Sequence, residues 1–329
     1  MIFLSFIGLY YIDTIRYSLS MFIALLIKVL PLYLMIAIGW FAGRYAEVSD
    51  KQIADFTIHF IAPPVLFCMA WQTDLDIGTS FAFILTLTLL TLFMAGTSYL
   101  YGKKLWGDKR KNLFSHQILG SNTGYFGIPV VFALFSEQTA NAWVLVMMVS
   151  TILHTSLGYW ILATGNLSPM DGLKRLLKLP LFWAMVIGLA FGFGGIPWVD
   201  GLEETLSMFK GAYFVLGMAI IGLSMAKISR VHFDFNYIWN AALWRFPVWS
   251  LAAFAIVLAD IWFFDVLPSD YRAFIILYAA MPLPANSVAY AAQLNVHPQK
   301  AASAVLATTL IALAYIPAIM MFYQSQFGY

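Results

Sequence analysis

Charge and cysteine are what this sequence has least of. Of its 329 residues only 10% are charged, 18 basic and 16 acidic, and Cys68 is the single cysteine. One cysteine excludes an intrachain disulfide and every Cys-based metal or redox motif. A net charge of +2 provides no basic surface for nucleic acid. Ordinary globular chains are about 25% charged, so a water-soluble protein this long could not cover its surface with so few charges. Residues 192–195 lie in an apolar run and lack the Lys and Ser/Thr of a phosphate loop. No spacing of His, Cys, Asp or Glu reads as a metal site or a nucleophile–base pair, so neither cofactor nor catalysis is expected.

What is present is apolar surface. Hydrophobic residues make up 62% of the chain, with a mean hydropathy of +0.82. A membrane-crossing helix needs about 20 mostly apolar residues. Ten runs qualify: 21–42, 52–71, 80–101, 113–135, 142–163, 179–199, 208–226, 237–263, 272–295 and 301–323. The expected fold class is an all-α polytopic membrane protein of ten transmembrane helices embedded in the lipid bilayer.

The connections between runs alternate in charge. The odd-numbered ones hold Arg44 and Lys51; Lys103, Lys104, Lys109, Arg110 and Lys111; Lys174, Arg175 and Lys178; Lys227 and Arg230; and Lys300, together 13 of the 18 basic residues. Basic residues in short loops mark the cytoplasmic side. Both termini are therefore expected outside, in the periplasm of a cell whose inner membrane holds the chain. Residues 1–20 are apolar but interrupted by Asp13 and Arg16, and lack the basic start and cleavage site of a signal peptide. They are expected to be a surface-lying extension, or codons upstream of a start at Met21.

Five spans followed by five more turn the second half upside down. Leu30-Pro31-Leu32, Ile38-Gly39 and Gly43 match Leu179-Pro180-Leu181, Ile187-Gly188 and Gly192 at a constant offset of 149. The spacing predicts two inverted five-helix repeats, 21–163 and 179–323, joined by a cytoplasmic linker, 164–178. Inverted repeats of this kind build many secondary transporters, with the substrate held at the midplane between halves.

The fourth and ninth runs carry the chemistry. The fourth contains Ser121, Asn122, Thr123, Gly124, Gly127 and Pro129; the ninth contains Pro282, Pro284, Asn286 and Ser287. Pro removes a backbone donor, Gly loosens the chain, and unwound backbone at membrane depth is tolerated only inside protein or along a cavity. Each run is thus expected to break and restart, near Pro129 and near Pro284. The two half-helix N-termini so formed, with amide donors from Asn122 and Asn286, would make a carboxylate site.

On these residues the chain resembles the auxin efflux carrier family, within the wider bile-acid/sodium symporter-like superfamily. The resemblance runs from about residue 21 to 323 and is strongest at 122–129 and 281–309, with support from 61–67 and 221–226. It implies crossed, broken fourth and ninth helices around the substrate and secondary transport of an organic acid anion. Plant members carry an acidic residue near the point where this chain has Pro63-Pro64, and many have a long central loop. Both departures point away from auxin and toward bacterial members, some described as malonate or malate carriers.

Ionisable residues inside spans are functional candidates. Arg245 lies too deep in the eighth run to reach water, so a cavity or an acidic partner is expected around it. Lys28 is expected to snorkel to the outer interface, against a coupling or charge-compensating role. His59 and His154 are candidates for a coupling proton, against a packing role. Asp55 and Asp260 read as helix-end carboxylates, and Trp71, Trp106, Trp143, Trp198, Trp239 and Trp262 as an interfacial belt.

The leading reading is a secondary carrier of a small organic mono- or dicarboxylate by alternating access. A sodium-coupled symporter of the bile-acid type is the nearest alternative, and a membrane-embedded enzyme the alternative of another class. The partners expected are the anion, a proton or sodium as coupling ion, lipid, and as an option a second copy in a homodimer. Neither break contains an acidic residue, which favours protons over a tight sodium site.

Overall fold

The computed structural model describes residues 2–46, 48–73, 76–163, 169–199, 201–226 and 234–327, excepting the side chains of 2–18, 169 and 172. Every regular element among them is helical. We number the helices α1 (Ile2–Tyr45), α2 (Asp50–Gln72), α3 (Ile77–Leu105), α4 (Arg110–Leu119), α5 (Gly127–Leu134), α6 (Glu137–Leu162), α7 (Pro169–Leu176), α8 (Pro180–Phe193), α9 (Leu202–Ala226), α10 (Phe235–Phe264), α11 (Ser269–Ala280), α12 (Asn286–Gln293) and α13 (Pro298–Phe327). Seven of them, α1, α2, α3, α6, α9, α10 and α13, are long and apolar enough to cross a bilayer. The apolar α8 has 14 residues, about 21 Å at 1.5 Å per residue, less than the hydrocarbon thickness. The fourth and ninth apolar runs each contain a break, between α4 and α5 and between α11 and α12.

Side chains at the ends explain where several helices start. Ser49, Asp76, Ser136 and Asp234 each accept a hydrogen bond from a first-turn N–H of α2, α3, α6 and α10, satisfying donors that a helix start leaves free. The outer surface is apolar, with Phe41, Phe81, Phe93, Trp239, Trp262 and Phe322 all exposed. In water such a surface would be a liability; against lipid it costs nothing.

Four helices, α1, α2, α8 and α9, pack chiefly on one another, and α3, α4, α6 and α10–α13 form a second bundle. The most extensive contacts in the first are α1 with α9 and α2 with α8. Both depend on the glycines related by the 149-residue offset. A Cβ on Gly39 would lie 2.1 Å from the Ala219 carbonyl oxygen, and one on Gly188 would lie 2.3 Å from that of Phe67. Without hydrophobic drive between helices in lipid, close backbone approach at small residues is what holds them together.

Helix α1 runs without interruption from Ile2 to Tyr45, and its membrane-length apolar span is Leu19–Tyr45, so the residues before Leu19 extend the helix at its start. Within the connection 164–178, Pro169–Leu176 form α7. The interfacial belt needs correction. Trp143 is fully buried, and Trp71 and Trp106 nearly so; only Trp239 and Trp262 of the belt are strongly exposed. Lys227 and Arg230, and the side chains of Asp13 and Arg16, lie outside the described residues.

Candidate functional site

The two breaks bond to each other. The N–H of Asn122 donates to the Pro282 carbonyl at 3.0 Å, and the Ser121 hydroxyl donates to the Tyr278 carbonyl at 3.3 Å. The Leu283 N–H donates to Thr308 Oγ1 of α13 at 3.3 Å. The restarts fall at Gly127 and Asn286, each two residues from the proline near which it was expected, so Pro129 is the third residue of α5 and Pro284 precedes α12.

Each break borders the seam between the bundles. Tyr125 Cα lies 3.2 Å from where a Gly217 Cβ would stand on α9, and a Gly124 Cβ would lie 3.1 Å from the Tyr213 hydroxyl. Ala285 and Val288, at the start of α12, line a small cavity together with Ile221, Ser224 and Met225 of α9. Toward one end of the seam lies a vestibule of about 650 Å³, lined by Trp71, Trp198 and Glu203 from the first bundle and Glu137 and Asn141 from the second. Lys210 of α9 is paired with Glu137 there.

Asn122 organises the first restart. Its main-chain oxygen accepts from the Gly127 N–H at 2.8 Å and its Oδ1 accepts from the Phe126 N–H at 3.3 Å. That leaves its buried amide nitrogen without a partner, a donor with nothing to donate to. Thr123 is buried, and its carbonyl accepts from Trp143 Nε1 at 3.0 Å. Gly127 is required sterically, since a Cβ would sit 3.1 Å from that Trp143 nitrogen and 3.2 Å from the Asn122 oxygen. At the second restart Asn286 is exposed as the first residue of α12. Buried Ser287 is tied away from it, accepting at Oγ from Gln117 Nε2 at 3.0 Å.

Arg245 is wholly buried. It sits in a π-helical turn of α10 (Trp244–Val248), a distortion that often marks functional sites. Its partners are carbonyls, which corrects the acidic partner expected. Nε donates to Met281 O at 2.7 Å, Nη1 to Gly120 O at 3.1 Å, and Nη2 to Tyr278 O. The guanidinium also stacks over Trp249 at 4.9 Å and Tyr278 at 5.4 Å. One cation thus closes the C-terminal ends of both α4 and α11.

The remaining candidates scatter. His59, in a π-helical turn of α2, is exposed and bonds the Asp55 carbonyl of its own helix at 2.8 Å. Lys28 is exposed on α1. Neither is part of the crossing. Asp260 pairs with Arg272 at 2.7 Å and accepts from the Val266 N–H at 3.2 Å. His154, in the π-helical turn His154–Gly158 of α6, is stacked on His116 of α4. His116 carries the same signal that singles out His154, an ionisable group inside an apolar run. Its closeness to the basic connection 103–111 disguises it as a helix end.

Taken together, these features define a multi-pass helical membrane protein whose interior holds two hydrogen-bonded, capped breaks beside a seam between bundles. The family description "Membrane transport protein" matches residues 24–320. The chain therefore belongs to that transporter family, the auxin efflux carrier family its residues resemble. It is 24% identical over 209 residues to an uncharacterized transporter of Methanothermobacter thermautotrophicus, covering 62% of this chain and 66% of the relative. It is 23% identical over 244 residues to an uncharacterized transporter of Methanocaldococcus jannaschii, covering 69% and 77% respectively.

Proposed function

We propose that this transporter is a secondary carrier of a small organic anion, a mono- or dicarboxylate, held where the two breaks cross and moved by alternating access. The observation that carries the reading is the asymmetry Arg245 imposes. A broken helix presents a negative C-terminal pole and a positive N-terminal pole. At both breaks the negative poles are bonded to one guanidinium, whereas the N-terminal poles of α5 and α12 meet only neutral caps, such as the Asn122 oxygens that take the Phe126 and Gly127 N–H groups. Beside them are the free amide of Asn122 and the exposed Asn286. Such a field favours a carboxylate. With no acidic residue in either break, it offers little to sodium.

The same reading holds the chain to ten spans in two inverted repeats, in an inner membrane with both termini outside. Among the described residues seven helices are long and apolar enough to cross; counting the shorter α8 and each broken pair as one span as well would make ten. The matched packing of Gly39 and Gly188 is what a 149-residue repeat requires. Reporter fusions after Phe327 and within 103–111 should report outside and inside, respectively. A cytoplasmic C-terminus would overturn the ten-span arrangement.

Substrate class is tested on the purified protein by thermal unfolding against a panel of mono- and dicarboxylates. A ligand that binds only the folded state at a hundred times its Kd stabilises by about 2.7 kcal/mol. At least one carboxylate should raise the melting temperature while amines of matching size do not. Stabilisation by the amines alone would refute the anion site.

A further inference from the structure

Behind the crossing, on the α6 side, lies a pair of groups that the anion site does not use. The rings of His116 and His154 are stacked, with centroids 4.2 Å apart and planes 28° from parallel. Both side chains are buried. His116 Nε2 and His154 Nε2 have no hydrogen-bond partner, while His116 Nδ1 faces the Gly158 backbone. A buried histidine kept for packing has its nitrogens satisfied. Here one nitrogen of each ring is without a partner in the interior of a membrane protein, and each neutral ring has a lone pair to take a proton.

The pair touches the first break, whose Gly120 in turn meets the second. A Cβ on Gly120, the first residue of the α4–α5 break, would lie 2.3 Å from His154 Cδ2 and 2.9 Å from Pro284 Cγ of the second break. A Cβ on Gly158 would lie 3.1 Å from His116 Nδ1. Any motion of the rings is therefore felt at the crossing. From the packed elements, the groups facing the pair are Tyr290 of α12, 5.9 Å from each ring, Tyr159 of α6 behind it, and two cations. Arg175 of α7 lies over the Tyr159 ring at 4.1 Å, and Arg245 bonds the Gly120 carbonyl. Neither imidazole forms an ion pair among the described residues.

We propose that the His116–His154 stack is the proton-binding site of the carrier, taking up one proton between its two rings. Two adjacent imidazolium ions at this spacing would repel in a poorly screened interior, so the pair holds a single charge. The proton adds from water to a ring lone pair, no electrons move, and the ring becomes a two-donor cation. With no carboxylate of its own to face, that cation finds its counter-charge in an organic anion at the neighbouring crossing. Proton and anion then stabilise each other, which is the linkage a symporter needs. The coupling part of the inference rests on the carboxylate reading above; proton uptake by the pair does not.

The test is a pH titration of the full-length protein in lipid vesicles, labelled with ¹⁵N-histidine and followed by solid-state NMR. The chain has only 5 histidines, and His116→Gln and His154→Gln assign the pair. If one substitution prevents folding, the other still breaks the stack, and the wild-type proton count stands without either. Expected on acidifying from pH 8 to 4 is one proton gained per pair, with both rings changing together. Removing either ring should shift the midpoint of the other by about one pH unit. Adding malonate as a probe dicarboxylate should raise the wild-type midpoint. The proposal is overturned if both rings stay neutral while His297 titrates, or if each takes a proton independently of the other. Titration of the pair with no binding of malonate or any other carboxylate would uphold the proton site and defeat the anion reading instead.

Discussion

Arg245→Met is expected to destabilise the protein by at least about 2 kcal/mol. The substitution keeps most of the volume and removes three buried donors. The carbonyls of Gly120 and Met281 would lose the Arg245 donor in the interior, whereas Tyr278 keeps the Ser121 hydroxyl and the Met281 N–H, and each buried polar group left unsatisfied costs about 1–3 kcal/mol. The π-helical turn that carries Arg245 would also lose the bond network that fixes it. Arg245→Lys should fall between, because a compact ammonium lacks the planar fork that spans three acceptors. The measurement is the unfolding midpoint of purified variants together with their folded yield in membranes. If Arg245→Met were as stable as the parent yet had lost carboxylate binding, the guanidinium would be a ligand for the anion rather than the clamp of the two helix ends.

The second large effect is expected at Asn122. Its side chain has two separable jobs: Oδ1 accepts from the Phe126 N–H, while the amide nitrogen has no partner. Asn122→Asp retains an oxygen for the first job and turns the free donor into a negative charge. Folding should survive, since a carboxylate at a helix start is favourable. Carboxylate binding should not survive, because a hydrogen bond to a charged group, worth about 1.5–3 kcal/mol, is replaced by repulsion. At about 1.4 kcal/mol per tenfold, the loss should exceed roughly tenfold and reach about 150-fold. Asn122→Ala removes both jobs and should reduce stability and affinity together. Asn286→Ala, at an exposed position, should lower affinity with little change in stability. Binding and melting temperature measured on the same preparations separate these outcomes. Parent-like affinity in Asn122→Asp would mean that the amide does not touch the substrate.

The proposed proton and anion sites would occupy opposite faces of one structural unit. Gly120 has His154 against its Cα and offers its carbonyl to Arg245, and two residues later Asn122 presents the free amide. A change at the imidazole pair therefore has a path of only a few residues to the substrate. The vestibule and the Lys210–Glu137 pair lie at the seam instead, where the bundles would have to part for access.

Membrane residence, the apolar spans and the two breaks are local properties, and the sequence alone determines them. Twenty apolar residues in a row favour a bilayer, and clusters of Pro with Asn and Ser at mid-run interrupt a helix, whereas the single prolines Pro31 and Pro317 do not. The paired glycines at the 149-residue offset were legible for the same reason, since small residues are chosen by close approach. Which groups meet across the fold was not legible. No spacing links Arg245 to carbonyls 33, 36 and 125 residues away, because backbone acceptors carry no sequence signature. Nor does any pattern pair His116 with His154, which come together only because α4 and α6 pack side by side. The sequence chose which residues could be unusual inside a membrane. Tertiary packing decided which of them became caps, which remained idle and which face one another, because burial and hydrogen bonding are settled by neighbours distant in the chain.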